Sequence, residues 1–73
     1  MEKVPLTELP SLDERGKLRK AMGLSYSKAA SEIGVSARSV WRWEHEECAL
    51  NPENHRAYQR VLKRWKEVIE NFS

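Results

Sequence analysis

Arg38 and Arg42 lie four residues apart in a stretch with helical periodicity, so their side chains should point the same way. The planar guanidinium group of arginine matches the O6 and N7 acceptors on the major-groove edge of guanine. Trp41 lies beside them and can pack on a thymine methyl group or on sugar and phosphate. These residues together indicate recognition of nucleic acid. The alternative interpretation is that both arginines are only solvated and that Trp41 is half-buried.

A short helix from Ala37 to about Glu46, capped by Ser36, is predicted to carry these side chains. The periodicity of a helix separates its residues into two faces. The inner face would hold Val40, Trp43 and Glu44, and the outer face would hold Arg38, Trp41, Arg42 and His45. The outer face is therefore basic and aromatic, whereas the inner face is largely apolar.

The preceding residues predict another helix and a tight turn. Ser25 can cap a helix that begins at Tyr26, because its hydroxyl can accept a hydrogen bond from a first-turn amide. Apolar residues follow at helical spacing, namely Ala29, Ala30 and Ile33. Gly34 permits the positive φ that a sharp helix exit requires. A helix, a glycine turn and a short helix with a basic outer face is the plan of a helix-turn-helix.

The stretch SYSKAASEIGVSARSVWRWE, residues 25–44, resembles the Cro/CI-type, lambda-repressor-like helix-turn-helix of phage repressors and many bacterial regulators. The similarity extends from about Leu12 into the early part of the last helix. Its matching positions are Gly23-Leu24-Ser25, Ala30, Gly34-Val35-Ser36, Val40 and Glu44. The chain departs from the family pattern at Arg15, Tyr26, Ala29 and Trp43, where an apolar residue, a glutamine, a leucine and a smaller aliphatic residue are usual.

The resemblance implies roles for individual residues of this chain. The base-contacting positions would be Ala37, Arg38 and Arg42, with the adjacent Trp41. The candidates for phosphate contacts are Tyr26, Lys28, Ser36, Ser39 and His45. Capping alone would also explain the serines, and Lys28 can be simply solvated. Arg19 and Glu44 would form an ion pair that orients the recognition helix, unless they are two unconnected surface charges.

The rest of the chain predicts two further helices and no strand. Residues 1–10, which contain two prolines, are expected to form an extended arm, or to cross the core through Val4, Leu6 and Leu9. Residues 11–73 are expected to form one helix-turn-helix domain. Its first helix would begin at a capping box, Ser11 to Glu14, and end near Met22, with inward residues Leu12, Leu18, Ala21 and Met22.

The last helix is predicted to begin at Asn51-Pro52, an N-cap followed by a proline in the first turn. It carries a long apolar stripe, consisting of Tyr58, Val61, Leu62, Trp65, Val68, Ile69 and Phe72. The expected fold is therefore all-α, with four main helices, an N-terminal arm and a long C-terminal helix.

Composition limits the remaining function classes. The net charge is only +2, but residues 15–45 carry seven Lys and Arg against two Glu, which concentrates positive charge on the helix-turn-helix.

No phosphate loop, nucleophile elbow or paired catalytic carboxylates are visible, so we expect no enzyme activity and no cofactor. His45, Cys48 and His55 do not match a zinc-ligand spacing, so no metal site is predicted. The single cysteine and the lack of a signal or membrane segment favour the cytoplasm, and the family resemblance implies that the cell is bacterial or phage-infected.

The predicted function is sequence-specific binding of double-stranded DNA, as a repressor or Cro-like transcriptional regulator. A weak homodimer, or a monomer that dimerises on DNA, is expected, because two-fold sites are common for this motif. Two alternatives remain open. One is an excisionase-like or architectural phage protein that binds DNA, and the other is a helical protein-interaction module that uses the apolar stripe of the last helix.

Overall fold

A computed structural model describes residues 9–46 and 50–72, and these residues form an all-α fold. It contains α1 (Leu12–Ala21), α2 (Tyr26–Ile33), α3 (Ala37–His45) and α4 (Pro52–Asn71), without a strand in the described ranges. The predicted fold class and helix bounds are thus confirmed to within a residue or two. Residues 1–8 of the predicted arm, Cys48 with its two neighbours, and Ser73 lie outside the described residues.

Each helix begins at a polar cap that the sequence predicts. The cap side chain accepts a hydrogen bond from the amide three residues later, at Ser11, Ser25, Ser36 and Asn51. Such bonds satisfy one of the otherwise unpaired amides of the first turn. Only half of the predicted capping box forms, since Glu14 donates its amide to Ser11 while its carboxylate makes no bond in return. Gly34 ends α2 at φ 95°, the left-handed conformation that the sharp exit requires.

The core lies between α2, α3 and the first half of α4. Its buried residues are Ala29, Ala30, Ile33, Val40, Trp43, Tyr58, Val61, Leu62 and Trp65. The small alanines let α3 approach α2 closely, and the large aromatic residues of α3 and α4 fill the remaining space. Trp65 also donates its indole N–H to the Glu32 carboxylate at 3.1 Å. Burial raises the pKa of the Tyr58 hydroxyl, so this group stays neutral inside the core.

The inward residues predicted for α1 are partly wrong. Ala21 is exposed, and the other three predicted residues are only half-buried. The residues of α1 that are truly buried are Arg15 and Arg19. Apolar periodicity does not reveal them, because their long side chains become buried by bonding to polar groups on other elements.

The apolar stripe of α4 divides into a buried half and a more open half. Tyr58, Val61, Leu62 and Trp65 close the core, as predicted. Val68 and Ile69 are half-buried, and Phe72 is 86% exposed. Within the described part of the chain, no helix combines the length and apolar character needed to cross a membrane.

Candidate nucleic-acid interface

The outer face of α3 presents the side chains that the sequence predicts for base contact. Arg38, Trp41 and Arg42 are exposed, and Ala37 is half-buried at the start of the helix. His45, which is predicted for phosphate contact, is exposed on the same face. The rings of Trp41 and His45 stack at 4.4 Å between centroids, with 15° between their planes. His45 Nδ1 also lies 2.8 Å from the Trp41 carbonyl oxygen. The stack fixes the direction of Trp41, which remains 44% exposed.

Arg42 already has a hydrogen-bond partner in the free protein, which an external acceptor would have to displace. Its Nε donates to the Glu46 carboxylate at 3.2 Å, and both side chains are about half exposed. An exposed ion pair of this kind is worth only about 0.2–1 kcal/mol, so a stronger acceptor displaces it at little cost. Arg38, in contrast, has no ion pair among the described residues.

Four of the five predicted phosphate-contacting residues lie near the start of α2 or the start of α3, whereas His45 is the last residue of α3. Ser36 caps α3, and its hydroxyl lies 3.0 Å from the Ser39 hydroxyl, so the capping role and an exposed polar surface occur together. Lys28 is exposed on α2. Tyr26 is half-buried, because its ring packs beneath the guanidinium group of Arg19.

The inner face of α3 is anchored by the ion pair of Arg19 and Glu44, as the family resemblance implies. Arg19 Nε donates to Oε2 of Glu44 at 2.6 Å, and Nη2 donates to Oε1 at 3.2 Å. The two side chains are only 7% and 5% exposed. A two-bond contact of planar groups restrains rotation as well as distance, so it orients α3 relative to α1.

Arg19 also contacts the connection between α1 and α2. Its Nη1 donates to the Leu24 carbonyl at 2.9 Å, and its guanidinium carbon lies 4.0 Å from the centre of the Tyr26 ring. The hydrogen bond to Glu44 raises the pKa of Arg19, although burial acts in the opposite direction. One guanidinium group therefore joins α1, the start of α2 and the inner face of α3.

Arg15 is a second anchor of the C-terminal end of α3, a role that the sequence analysis does not predict for it. Its Nη1 donates to the Trp43 carbonyl at 2.8 Å, and its Nε donates to the Pro10 carbonyl at 2.8 Å. Trp43 lies in the last turn of α3, where carbonyl groups lack partners within the helix. A cation near a helix C-terminus is also favoured by the helix dipole. The one available signal is that Arg15 occupies a position where the resembling family usually has an apolar residue.

Burial changes the charge distribution predicted for residues 15–45. Arg15 and Arg19 are internal, so they add little to the outer surface. Five of the seven Lys and Arg remain exposed, namely Lys17, Lys20, Lys28, Arg38 and Arg42. The surface formed by residues 15–45 is still basic, but less so than the residue count suggests.

Gly16 gives a test of how tightly the Glu44 carboxylate is held. A Cβ atom at Gly16 would lie 3.2 Å from Glu44 Oε1, closer than carbon and oxygen normally approach. In an open helix Gly→Ala would stabilise by about 1 kcal/mol. We expect Gly16→Ala not to show this increase in the free energy of unfolding, because the Glu44 carboxylate is held by two bonds and has little freedom to move away from the added Cβ atom. Urea unfolding measures the effect, and a gain of the full amount would contradict the rigid placement of Glu44.

Comparisons of the chain with protein-family models, with curated proteins and with solved structures gave no significant match.

Proposed function

We propose that this protein binds double-stranded DNA in a sequence-specific way and regulates transcription, as the resemblance to Cro/CI-type repressors implies. In this proposal α3 enters the major groove and α2 lies across the backbone. Arg38, Arg42 and Trp41 contact base edges, with Ala37 close to them. The backbone contacts come from Tyr26, Lys28, Ser36, Ser39 and His45. Such a regulator would act in the cytoplasm of a bacterial or phage-infected cell.

The observation that supports this proposal best is the opposite character of the two faces of α3. Its outer face exposes two arginines and a stacked Trp41–His45 pair. Its inner face is held by buried arginines at both Trp43 and Glu44. A helix that is anchored rigidly while presenting fork-shaped donors loses little conformational entropy on binding, and this suits base readout.

Selection of bound sequences from random duplex DNA tests the proposal directly. We expect a short enriched motif, with affinity for it that falls steeply as the salt concentration rises. Circular permutation of the selected site would then separate a regulator from an architectural protein, since only the latter must bend DNA strongly. Recovery of no enriched motif, together with no salt-dependent binding to duplex DNA, would reject the proposal.

The base-reading role of α3 makes a prediction about two substitutions. Arg38→Ala and Arg42→Ala should each reduce specific binding by about 1–3 kcal/mol if each arginine makes two bonds to guanine. Both side chains are exposed, so unfolding should be almost unchanged. Binding titrations on the selected site and on random duplex measure the difference.

Lys28→Ala is the matched control for this pair. Lys28 is exposed on α2 and is assigned to phosphate, so its loss should weaken binding to both duplexes equally and reduce the salt dependence. An equal loss on both duplexes for Arg38→Ala or Arg42→Ala would instead show that these arginines contact only phosphate.

The open end of α4 makes a prediction about assembly. Phe72 is 86% exposed, with half-buried Val68 and Ile69 one turn before it. We expect a weak dimer through this end, formed at least on DNA, because a two-fold site would place two recognition helices about one helical turn apart. Sedimentation of the free protein and of its DNA complex measures the stoichiometry. Phe72→Glu should give one protein per site, and a wild-type protein that saturates at one copy would exclude the dimer.

A further inference from the structure

A second basic surface lies on α4, outside the helix-turn-helix. It borders an open groove of about 620 Å³ between α1 and α4. The residues that line this α4 groove are Pro10, Leu18, Arg56, Gln59, Arg60, Leu62, Lys63 and Lys66. None of them belongs to α2 or α3. The groove is therefore separate from the surface assigned to DNA.

Four cations run along one side of the α4 groove. Arg56, Arg60, Lys63 and Lys66 are exposed and are spaced four, three and three residues apart. At 1.5 Å per residue the row is about 15 Å long. None of the four has an ion pair among the described residues, although Glu67 and Glu70 follow on the same helix. Their charge is thus available to an external partner.

The floor of the α4 groove is apolar, and this feature decides between partners. Leu18 and Pro10 are half-buried there, and Leu62 closes the bottom. DNA phosphates would bind the cations but would gain nothing from an apolar floor. A helix with apolar residues on one side and carboxylates on its flanks would satisfy both features at once.

We propose that the α4 groove binds an acidic amphipathic helix of a partner protein. Apolar side chains of the partner pack against the half-buried Pro10 and Leu18, above the buried Leu62, and its Asp or Glu residues pair with the Arg56–Lys66 row. This interaction is independent of the proposed DNA binding. A chain that occupies a DNA site through α3 would still present the groove, so it could recruit an acidic partner there.

The test uses synthetic helical peptides of about 15 residues, long enough to span the row. One carries Leu on one face with Glu on both flanks. Two matched peptides replace Glu with Lys, or Leu with Ser. Binding to the 73-residue protein is followed by fluorescence anisotropy. We expect only the first peptide to bind, and we expect its NMR footprint to include Leu18 and Gln59.

Charge reversals locate the site. Arg60→Glu and Lys63→Glu should each reduce the affinity of the first peptide by about tenfold. Arg64→Glu is the matched control, because Arg64 is exposed on the same helix but does not line the groove. It should leave peptide affinity unchanged. Binding of the selected DNA site should survive all three substitutions, and this separates the present proposal from the assignment of α3 to DNA.

Several results would overturn the proposal. Failure of the first peptide to bind would reject the α4 groove as a site for an acidic amphipathic helix. Equal binding of the Ser-containing peptide would show that the apolar floor does not contribute to binding. Loss of random-duplex binding in Arg60→Glu, without peptide binding, would assign the row to phosphates. Loss of self-association in Arg60→Glu would make a second copy the occupant. NMR contacts between residues 1–8 and Leu18 would make the chain's own N-terminal segment the occupant.

Discussion

Glu44→Ala is expected to destabilise the fold by about 3–5 kcal/mol, the largest effect of any substitution considered. Removing one partner of a buried ion pair leaves the other charge without compensation. Arg19 would keep its bond to the Leu24 carbonyl but would lose both bonds to the carboxylate. A domain of this size has a total stability of roughly 4–11 kcal/mol, so the substitution should remove a large share of it. Thermal and urea unfolding measure the loss.

Two further variants show whether the loss in Glu44→Ala arises because the Arg19 charge is left buried without a partner. Lys17→Ala breaks the exposed pair of Lys17 and Asp13, whose side chains are 74% and 79% exposed, and should cost less than about 0.5 kcal/mol. The double substitution Arg19→Met and Glu44→Leu removes both charges together, so it should recover much of the loss. If Glu44→Ala costs no more than Lys17→Ala, the inner pair does not position α3.

Arg15→Ala is expected to have the second largest effect, about 2–4 kcal/mol. Its guanidinium group satisfies the Trp43 carbonyl at the end of α3 and the Pro10 carbonyl before α1. Deletion leaves the buried Trp43 carbonyl without a charged donor and opens a space beside Tyr58, whose ring centre lies 6.0 Å from the guanidinium carbon. Specific DNA binding should fall even under conditions where the variant is folded, because one of the two arginines that fix the C-terminal end of α3 would be lost.

Arg15→Lys is the matched control, since it keeps the charge but lacks the fork that reaches two carbonyls. Arg15→Lys should therefore recover only part of the stability that Arg15→Ala loses. Urea unfolding measures stability, and hydrogen exchange of the amides in the last turn of α3 reports the local opening. If Arg15→Ala leaves both quantities unchanged, Arg15 does not anchor α3.

Much of the architecture follows from local signals that the sequence contains. The four polar caps, the positive φ of Gly34 and the proline in the first turn of α4 act within a few residues, so the helix bounds could be predicted. Periodicity also separated the buried and exposed faces of α3, because Val40 and Trp43 are apolar while Arg38 and Arg42 are charged. The pairing of Arg19 with Glu44 was anticipated only through resemblance to a family, since these residues are distant in sequence.

The tertiary structure alone decided the role of Arg15 and the second basic surface. The sequence analysis counts Arg15 in the positive charge of residues 15–45, yet Arg15 is buried because two carbonyls from separate elements meet its guanidinium group. The cations of α4 form a row along a groove only because Leu18 and Pro10 are brought beside them from α1 and its approach. Both features depend on contacts between distant segments, and hydrophobic periodicity within one segment contains no information about what another segment places beside it.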